Sequence, residues 1–369
     1  MKAAVFREID KPLVLENLDL DSPKEYEVRV RVAAAGVCRS DLHFMHGVAK
    51  IKTPAVLGHE GSAVVEEIGS RVTRVKPGDH VILSFAPHCG QCQSCLSGHA
   101  NLCDLHMSTA GTLFDGSVRL HAQGEDIYHM GKVACFAEQA IVPETGCIPI
   151  DKDFSLEEAA LIGCSVTTGV GSAVFNAQIQ PGATVAVIGA GGVGLNVIQG
   201  ARMLSASKII AVDVNDAALE FSSKFGATDS VNARHSDPVK KIKDITGGKG
   251  VDYAFEVFGS TETSTLAYKS TAKGGTTVIV GLAPVGAEAG IDVTEMVRLE
   301  KKVQGSYYGS AIPAVDMYKI LDYTKSGKID VGGLITNRYS LEQINEAYEE
   351  LAKGPVGRGI ITMIDGNNS

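Results

Sequence analysis

The segment ATVAVIGAGGVG (Ala183–Gly194) narrows the fold of this chain more than any other stretch. Its opening is a short, nearly continuous apolar run, the pattern of a strand buried on both faces of a parallel sheet. Glycines with G-x-G-x-x-G spacing follow, and a helix-like segment, Val193–Leu204, comes next. Strand, glycine turn and helix in that order start a doubly wound α/β unit that cradles a pyrophosphate. Gly189 permits the tight turn, Gly191 beside Gly192 lets backbone approach phosphate, and Gly194 lets the helix close on the sheet. The helix N-terminus adds free N–H groups and partial positive charge. Further strand-like runs, KIIAVDV (Lys208–Val214), VDYAFEVFG (Val251–Gly259) and GTTVIVGL (Gly275–Leu282), continue the alternation. Asp213 lies nineteen residues past Gly194, and no Arg or Lys occurs in Val214–Glu220. A carboxylate there accepts from the adenosine ribose hydroxyls and repels a 2′-phosphate, so the expected cofactor is NAD rather than NADP.

A chain of 369 residues exceeds one ordinary core, so a second domain is expected. Residues 1–160 supply it. EVRVRVAAAG (Glu27–Gly36) and EGSAVVEEIG (Glu60–Gly69) are β-branched runs ending at glycine, and VKPGDHVIL (Val75–Leu83) is a Pro-Gly turn entering a strand. Near the end, LEQINEAYEELAKG (Leu341–Gly354) puts Leu341, Ile344, Ala347, Tyr348 and Leu351 on one helical face.

Inside the β-rich part, Cys89, Cys92, Cys95 and Cys103 have the spacing C-x2-C-x2-C-x7-C. Four thiolates close a tetrahedral zinc shell with no open position and leave a net charge of −2, a poor Lewis acid. This lobe reads as a structural staple, with His88, His99 and His106 as loop residues. Three other donors stand far apart: Cys38 in GVCRSDLH, His59 in GHE and Cys164 in GCSVTTG. Two thiolates and one imidazole balance Zn²⁺ and leave a fourth position open, the chemistry of a catalytic zinc. Spacing alone does not prove that grouping, because a buried Cys or His is more often core than ligand.

Composition excludes several classes. The net charge is −9, and Ser84–Met107 holds no Lys or Arg to pair with phosphates, which argues against a zinc-ribbon-like nucleic-acid binder. MKAAVFREID is not a secretory signal, and no stretch of about 18 uninterrupted apolar residues occurs, so no membrane span is expected. Clustered CxxC spacing in such a chain points to reduced thiols and a cytoplasmic protein. Cys135 and Cys147 read as ordinary buried residues, and Ala283–Gly290 is a loop without an assigned role.

Taken together, GHEG, the four-cysteine lobe, GAGGVG and the closing GRGIITM resemble the zinc-containing medium-chain alcohol dehydrogenases nearly end to end. The resemblance implies a GroES-like β-rich catalytic domain over 1–165 and 308–369, with the metal lobe at 84–107, and a Rossmann domain over 166–307. It implies two zincs per chain, one catalytic and one structural. Cys38, His59 and Cys164 match the catalytic ligands, Glu60 a carboxylate able to approach the metal, and Asp41 the residue that orients the histidine ligand. Ser40 and His43 match a proton relay. Arg39 and Arg358 match contacts to the cofactor pyrophosphate, Thr168 and Val193 residues pressing on the nicotinamide, and Phe85 a wall of the substrate pocket. The implied reaction is reversible oxidation of a primary or secondary alcohol, aromatic ones included, to an aldehyde or ketone, with hydride passing to NAD. The alternative is a polyol or thiol-adduct dehydrogenase of the same superfamily.

The chain departs from the glutathione-dependent branch. Met107 stands where that branch carries an arginine, and FMHGVAKIKTPAVL (Phe44–Leu57) has no acidic residue. The lobe Gly111–Met130 keeps the length typical of dimeric members, so a homodimer is expected over a tetramer.

Overall fold

The glycine turn lies between the strand Thr184–Ile188 and the helix Gly192–Met203 in a computed structural model that describes residues 1–363. Six strands, all parallel, form one sheet in the order Asp229–Asn232, Lys208–Asp213, Thr184–Ile188, Val251–Glu256, Thr271–Ile279, Lys302–Gly305. The strand order reverses beside Thr184–Ile188, which places the glycine turn at the switch point of a doubly wound sheet. Val185, Ala186 and Val187 are fully buried, as the unbroken apolar run requires. The crossover helices start on local caps. Asn215 accepts from Ala217 N–H, Asp237 precedes Pro238 at the first helical turn, and Ser260 and Thr263 form a capping box.

The β-rich part is organised by Glu27–Gly36. This ten-residue strand pairs antiparallel with Gly61–Ile68, with Gln139–Pro143 and with the closing strand Arg358–Thr362. Ile360 stands opposite Gly36, so the closing strand brings Arg358 beside the exit of Glu27–Gly36 towards Cys38. A second, six-stranded sheet carries Lys2–Phe6, Ala55–Val56 and Glu125–His129. Both sheets contribute to one apolar core, with Ala3, Val5 and Ile127 from one and Val28, Val30 and Val65 from the other. The helix Ile344–Ala352 buries Ile344, Ala347 and Tyr348 against that core, the face the sequence periodicity selects.

Two expectations change. The chain divides into one compact unit of Met1–Cys164, Ile312–Lys319 and Val331 onward, and another of Ser165–Ala311 and Ile320–Asp330. Residues 308–311 and 320–330 therefore belong to the nucleotide-fold unit, whereas the sequence assigns all of 308–369 to the β-rich one; of that range, 364–369 lie outside the described residues. The physical reason is local. Gln199 accepts from Asp330 N–H at 2.7 Å and donates to Asp330 O at 3.3 Å, and Arg202 donates to Lys328 O at 3.1 Å. Second, the helical run Leu156–Asn176 is long and apolar enough to cross a membrane, although none was expected to be. Its most apolar window is 78% buried inside the protein, which is the position of a core helix.

Candidate active site

Three turns of backbone deliver the separated donors. Cys38 is the N-cap of helix Arg39–Met45, immediately after the long strand. His59 follows Gly58, which has φ of +87° and packs so closely on Phe136 that a Cβ there would sit 2.7 Å from the ring. Cys164 lies in a π-helical turn, Ile162–Val166, within the buried helical run. Such a turn widens the helix by one residue and re-aims its side chains. The Cys38 Sγ, the Cys164 Sγ and a ring nitrogen of His59 all lie within 4.8 Å of one another, and all three residues are buried. Two donors each about 2.3 Å from one tetrahedral ion stand about 3.8 Å apart, so this set fits zinc.

The charges around the trio are balanced by neighbours. The Cys164 thiol donates to Cys38 and, with the positive charge of His59 and Arg358, holds Cys38 well below the ordinary thiol range, against burial. Burial opposes a proton on His59, but the charges of Asp41 and Cys38 outweigh it and raise its pKa. Asp41 Oδ1 meets His59 Nδ1 at 3.2 Å and accepts from Gly58 N–H at 3.1 Å. Glu60 is fully buried and bonded to Arg358. Arg358, expected at the cofactor pyrophosphate, is itself buried and lies among Glu60 and the two thiols. The closing strand's register next to Gly36 is the cause.

The remaining residues of this unit take distinct places. Ser40 Oγ is 3.8 Å from Cys38 Sγ. His43 is half-buried on the same helix, and burial, then Arg39, lower its pKa against the pull of Cys38. Phe85 stands edge-on to the His59 ring, with centroids 5.4 Å apart. Arg39 is exposed.

The four-cysteine lobe is a second donor cluster. All four Sγ atoms lie within 4.8 Å of one another, with Cys92 at 3.4 Å from Cys95 and 4.0 Å from Cys103. All eight cysteines of the chain are free thiols. Backbone N–H groups of Cys95 and Asp104 bring Cys92 down to about 7, and Cys89 N–H donates to Cys103 Sγ at 3.3 Å. His106 lies outside the cluster. Below the lobe, Lys132 is buried, and its ammonium donates to Thr109 O at 2.7 Å and Thr112 O at 2.9 Å. This cation tethers the segment that follows Cys103.

Beside Lys132, His129 predicts an acid-sensitive core. Its Nε2 accepts from Arg119 N–H at 3.0 Å, so the proton sits on Nδ1. Burial, then Arg119 and Lys132, lower its pKa from 6.5 to about 3. Between those values the unfolded chain binds a proton that the folded chain refuses, so stability falls as pH falls through that window. In denaturant titrations at stepped pH, His129→Gln is expected to lose less stability between pH 6.5 and 3 than wild type. Equal slopes would remove His129 from the acid response.

In the other unit, the glycine turn is built for close approach. A Cβ on Gly194 would lie 1.9 Å from Gly189 O, while one on Gly191 would meet nothing within 4 Å. Asp213 Oδ2 accepts from Ala190 N–H at 2.8 Å, and Oδ1 accepts from Val214 and Asn215 N–H at 2.7 and 3.0 Å. The carboxylate is therefore fixed at the strand end beside the turn. Thr168 and Val193 are both half-buried on neighbouring helices of this unit.

Residues 24–152 match the alcohol dehydrogenase GroES-like domain, and 192–325 match the zinc-binding dehydrogenase family. An NDMA-dependent alcohol dehydrogenase of Amycolatopsis methanolica is 39% identical over 364 residues, 98% of each chain. The chain belongs to the zinc-containing medium-chain alcohol dehydrogenase family. Its relatives include the S-(hydroxymethyl)glutathione dehydrogenase of Saccharomyces cerevisiae, 39% identical over 97% of this chain and 95% of that protein. Benzyl alcohol dehydrogenase from Acinetobacter calcoaceticus superposes with a TM-score of 0.93 at 31% identity, covering 98% of this chain and 99% of its own. This alcohol dehydrogenase is thus an enzyme that uses zinc and a nicotinamide cofactor, on a GroES-like unit and a Rossmann-type unit. Sequence reasoning missed the Glu60–Arg358 pair and the buried Lys132. The pair joins residues 298 apart, and Lys132 reads as any surface lysine until its carbonyl acceptors are known.

Proposed function

We propose that this dehydrogenase reversibly oxidises primary or secondary alcohols, aromatic ones included, to aldehydes or ketones, with NAD as hydride acceptor. The observation that carries the reading is the contrast between the two donor clusters: three buried ligands including an imidazole, against four sulfurs. The first set suits a zinc with an open position, and the second a closed structural zinc. When bound, the catalytic zinc supplies Lewis acidity to an alcohol oxygen, and the nicotinamide accepts hydride.

The chain's own residues do the rest. Cys38, His59 and Cys164 fix the ion, and Asp41 fixes the His59 ring. Ser40 receives the alcohol proton and passes it towards His43, whose lowered pKa keeps its imidazole neutral and able to take it. Phe85 excludes water beside His59. Glu60 and Arg358 balance the buried thiolates, Arg39 meets the pyrophosphate, and Thr168 and Val193 seat the nicotinamide. A homodimer in the cytoplasm is part of the same proposal. The test is zinc content together with an alcohol panel read by NADH absorbance. Turnover of simple or benzylic alcohols without added thiol, with two zincs per chain, supports it; turnover only with glutathione adducts overturns it.

Cofactor choice has its own test. Asp213→Gly removes the carboxylate but also frees three backbone N–H groups, so the NAD/NADP ratio of kcat/KM is the sound readout. Hydrogen bonds to a charged group contribute about 1.5–3 kcal/mol, so the ratio should fall roughly ten- to hundredfold. An unchanged ratio would remove Asp213 from recognition.

A further inference from the structure

We propose that Tyr348 is a positioning residue for the catalytic metal, its hydroxyl donating to the Asp41 carboxylate oxygen that His59 does not use. The inference rests on the reading that Cys38, His59 and Cys164 hold that metal. Asp41 is fully buried, yet its bonds are lopsided. Oδ1 takes both His59 Nδ1 and Gly58 N–H, while Oδ2 is buried with no hydrogen-bond partner among the described residues. The Tyr348 hydroxyl is buried and partnerless in the same way, and Tyr348 is 2% exposed. A bare carboxylate oxygen and a bare phenol O–H in one core are complementary defects, and each is costly alone.

The packing links them through Phe136 and Gly58. Tyr348 meets the Phe136 ring edge-on, with centroids 5.9 Å apart and planes at 68°. Phe136 lies against Gly58, the residue before His59 and itself a donor to Asp41. A phenol at neutral pH carries the proton it would donate. Hydrophobic periodicity at this helix position is met equally by phenylalanine; only the hydroxyl calls for an explanation. Directly or through one ordered water, the O–H fixes the plane of the carboxylate. The fixed carboxylate keeps Oδ1 on His59 Nδ1 and leaves Nε2 as the ligand atom.

Tyr348→Phe in the full-length enzyme removes the hydroxyl and keeps the ring. Chelator competition should then show the exchangeable zinc held about tenfold more weakly, the lower end for outer partners of metal ligands. The second zinc should stay as in wild type, and the visible bands of the Co(II)-substituted site should shift. In an Asp41→Asn background the same change should cost nothing further. Unaltered zinc affinity in Tyr348→Phe, or the same tenfold loss on top of Asp41→Asn, overturns the proposal. Cys164→Ser is the control. If it retains the exchangeable zinc, the metal-site reading itself fails, a different result from an inert Tyr348→Phe.

Discussion

Cys164→Ser is expected to abolish turnover and to release one zinc per chain while leaving NAD binding intact. A serine hydroxyl near neutral pH stays protonated and is a far poorer zinc ligand than thiolate, so the trio loses both a donor and a charge. Outer partners of metal ligands already cost about 10–100-fold when removed, so loss of a direct ligand should cost about a thousandfold or more in kcat/KM. The environment sharpens the effect. Arg358 is buried against Glu60 and the two thiols, and removing one thiolate leaves that cation with less negative charge around it. Nucleotide binding should survive because Gly189–Gly194 and Asp213 belong to the other compact unit. NADH fluorescence titration, zinc content and alcohol-dependent rates read the three parts separately. Full residual activity would break the ligand assignment.

What the sequence made legible follows the range of the interactions involved. Glu27–Gly36 was bounded correctly because its β-branched alternation is a local pattern. The glycine turn was legible for the same reason, since strand, turn and helix are contiguous. Two-residue strands such as Ala55–Val56 carry no periodicity, and their pairing with Lys2–Phe6 and Glu125–His129 is set by distant partners. The π turn at Cys164 is likewise invisible, because apolar spacing does not report one extra residue in a helix. At the site, the donor residues were legible by type, but their support was not. The Glu60–Arg358 pair depends on strand register across the chain, and the contact of Tyr348 with Phe136 depends on how a C-terminal helix packs on the N-terminal core.

The second large effect falls on the four-cysteine lobe, and it is an effect on folding rather than on the chemical step. Cys95→Ser is expected to remove the structural zinc and to lower the melting temperature by roughly 5 °C, while kcat at low temperature changes little. The stretch 91–99 of the lobe holds no buried residue. Its helix Gln93–Leu96 is one turn long and buries no residue, and Leu96, Leu102 and Met107 are exposed. Cys103 is its only fully buried cysteine. On the proposed reading, a bound zinc would therefore supply much of the free energy that orders it, as in small domains that fold only with their ion. Lys132 cannot replace the ion, because its ammonium holds the carbonyls of Thr109 and Thr112 beyond Cys103 and reaches none of the segment Cys89–Cys95. A loss of roughly 4 kcal/mol, within the range for a lost metal, converts to a shift of about 5 °C in a chain of 369 residues. Differential scanning fluorimetry with zinc analysis measures both, and the exchangeable zinc serves as an internal reference. A Cys95→Ser enzyme that melts with wild type, or one that loses turnover before it loses stability, would mean that this lobe takes part in the chemistry.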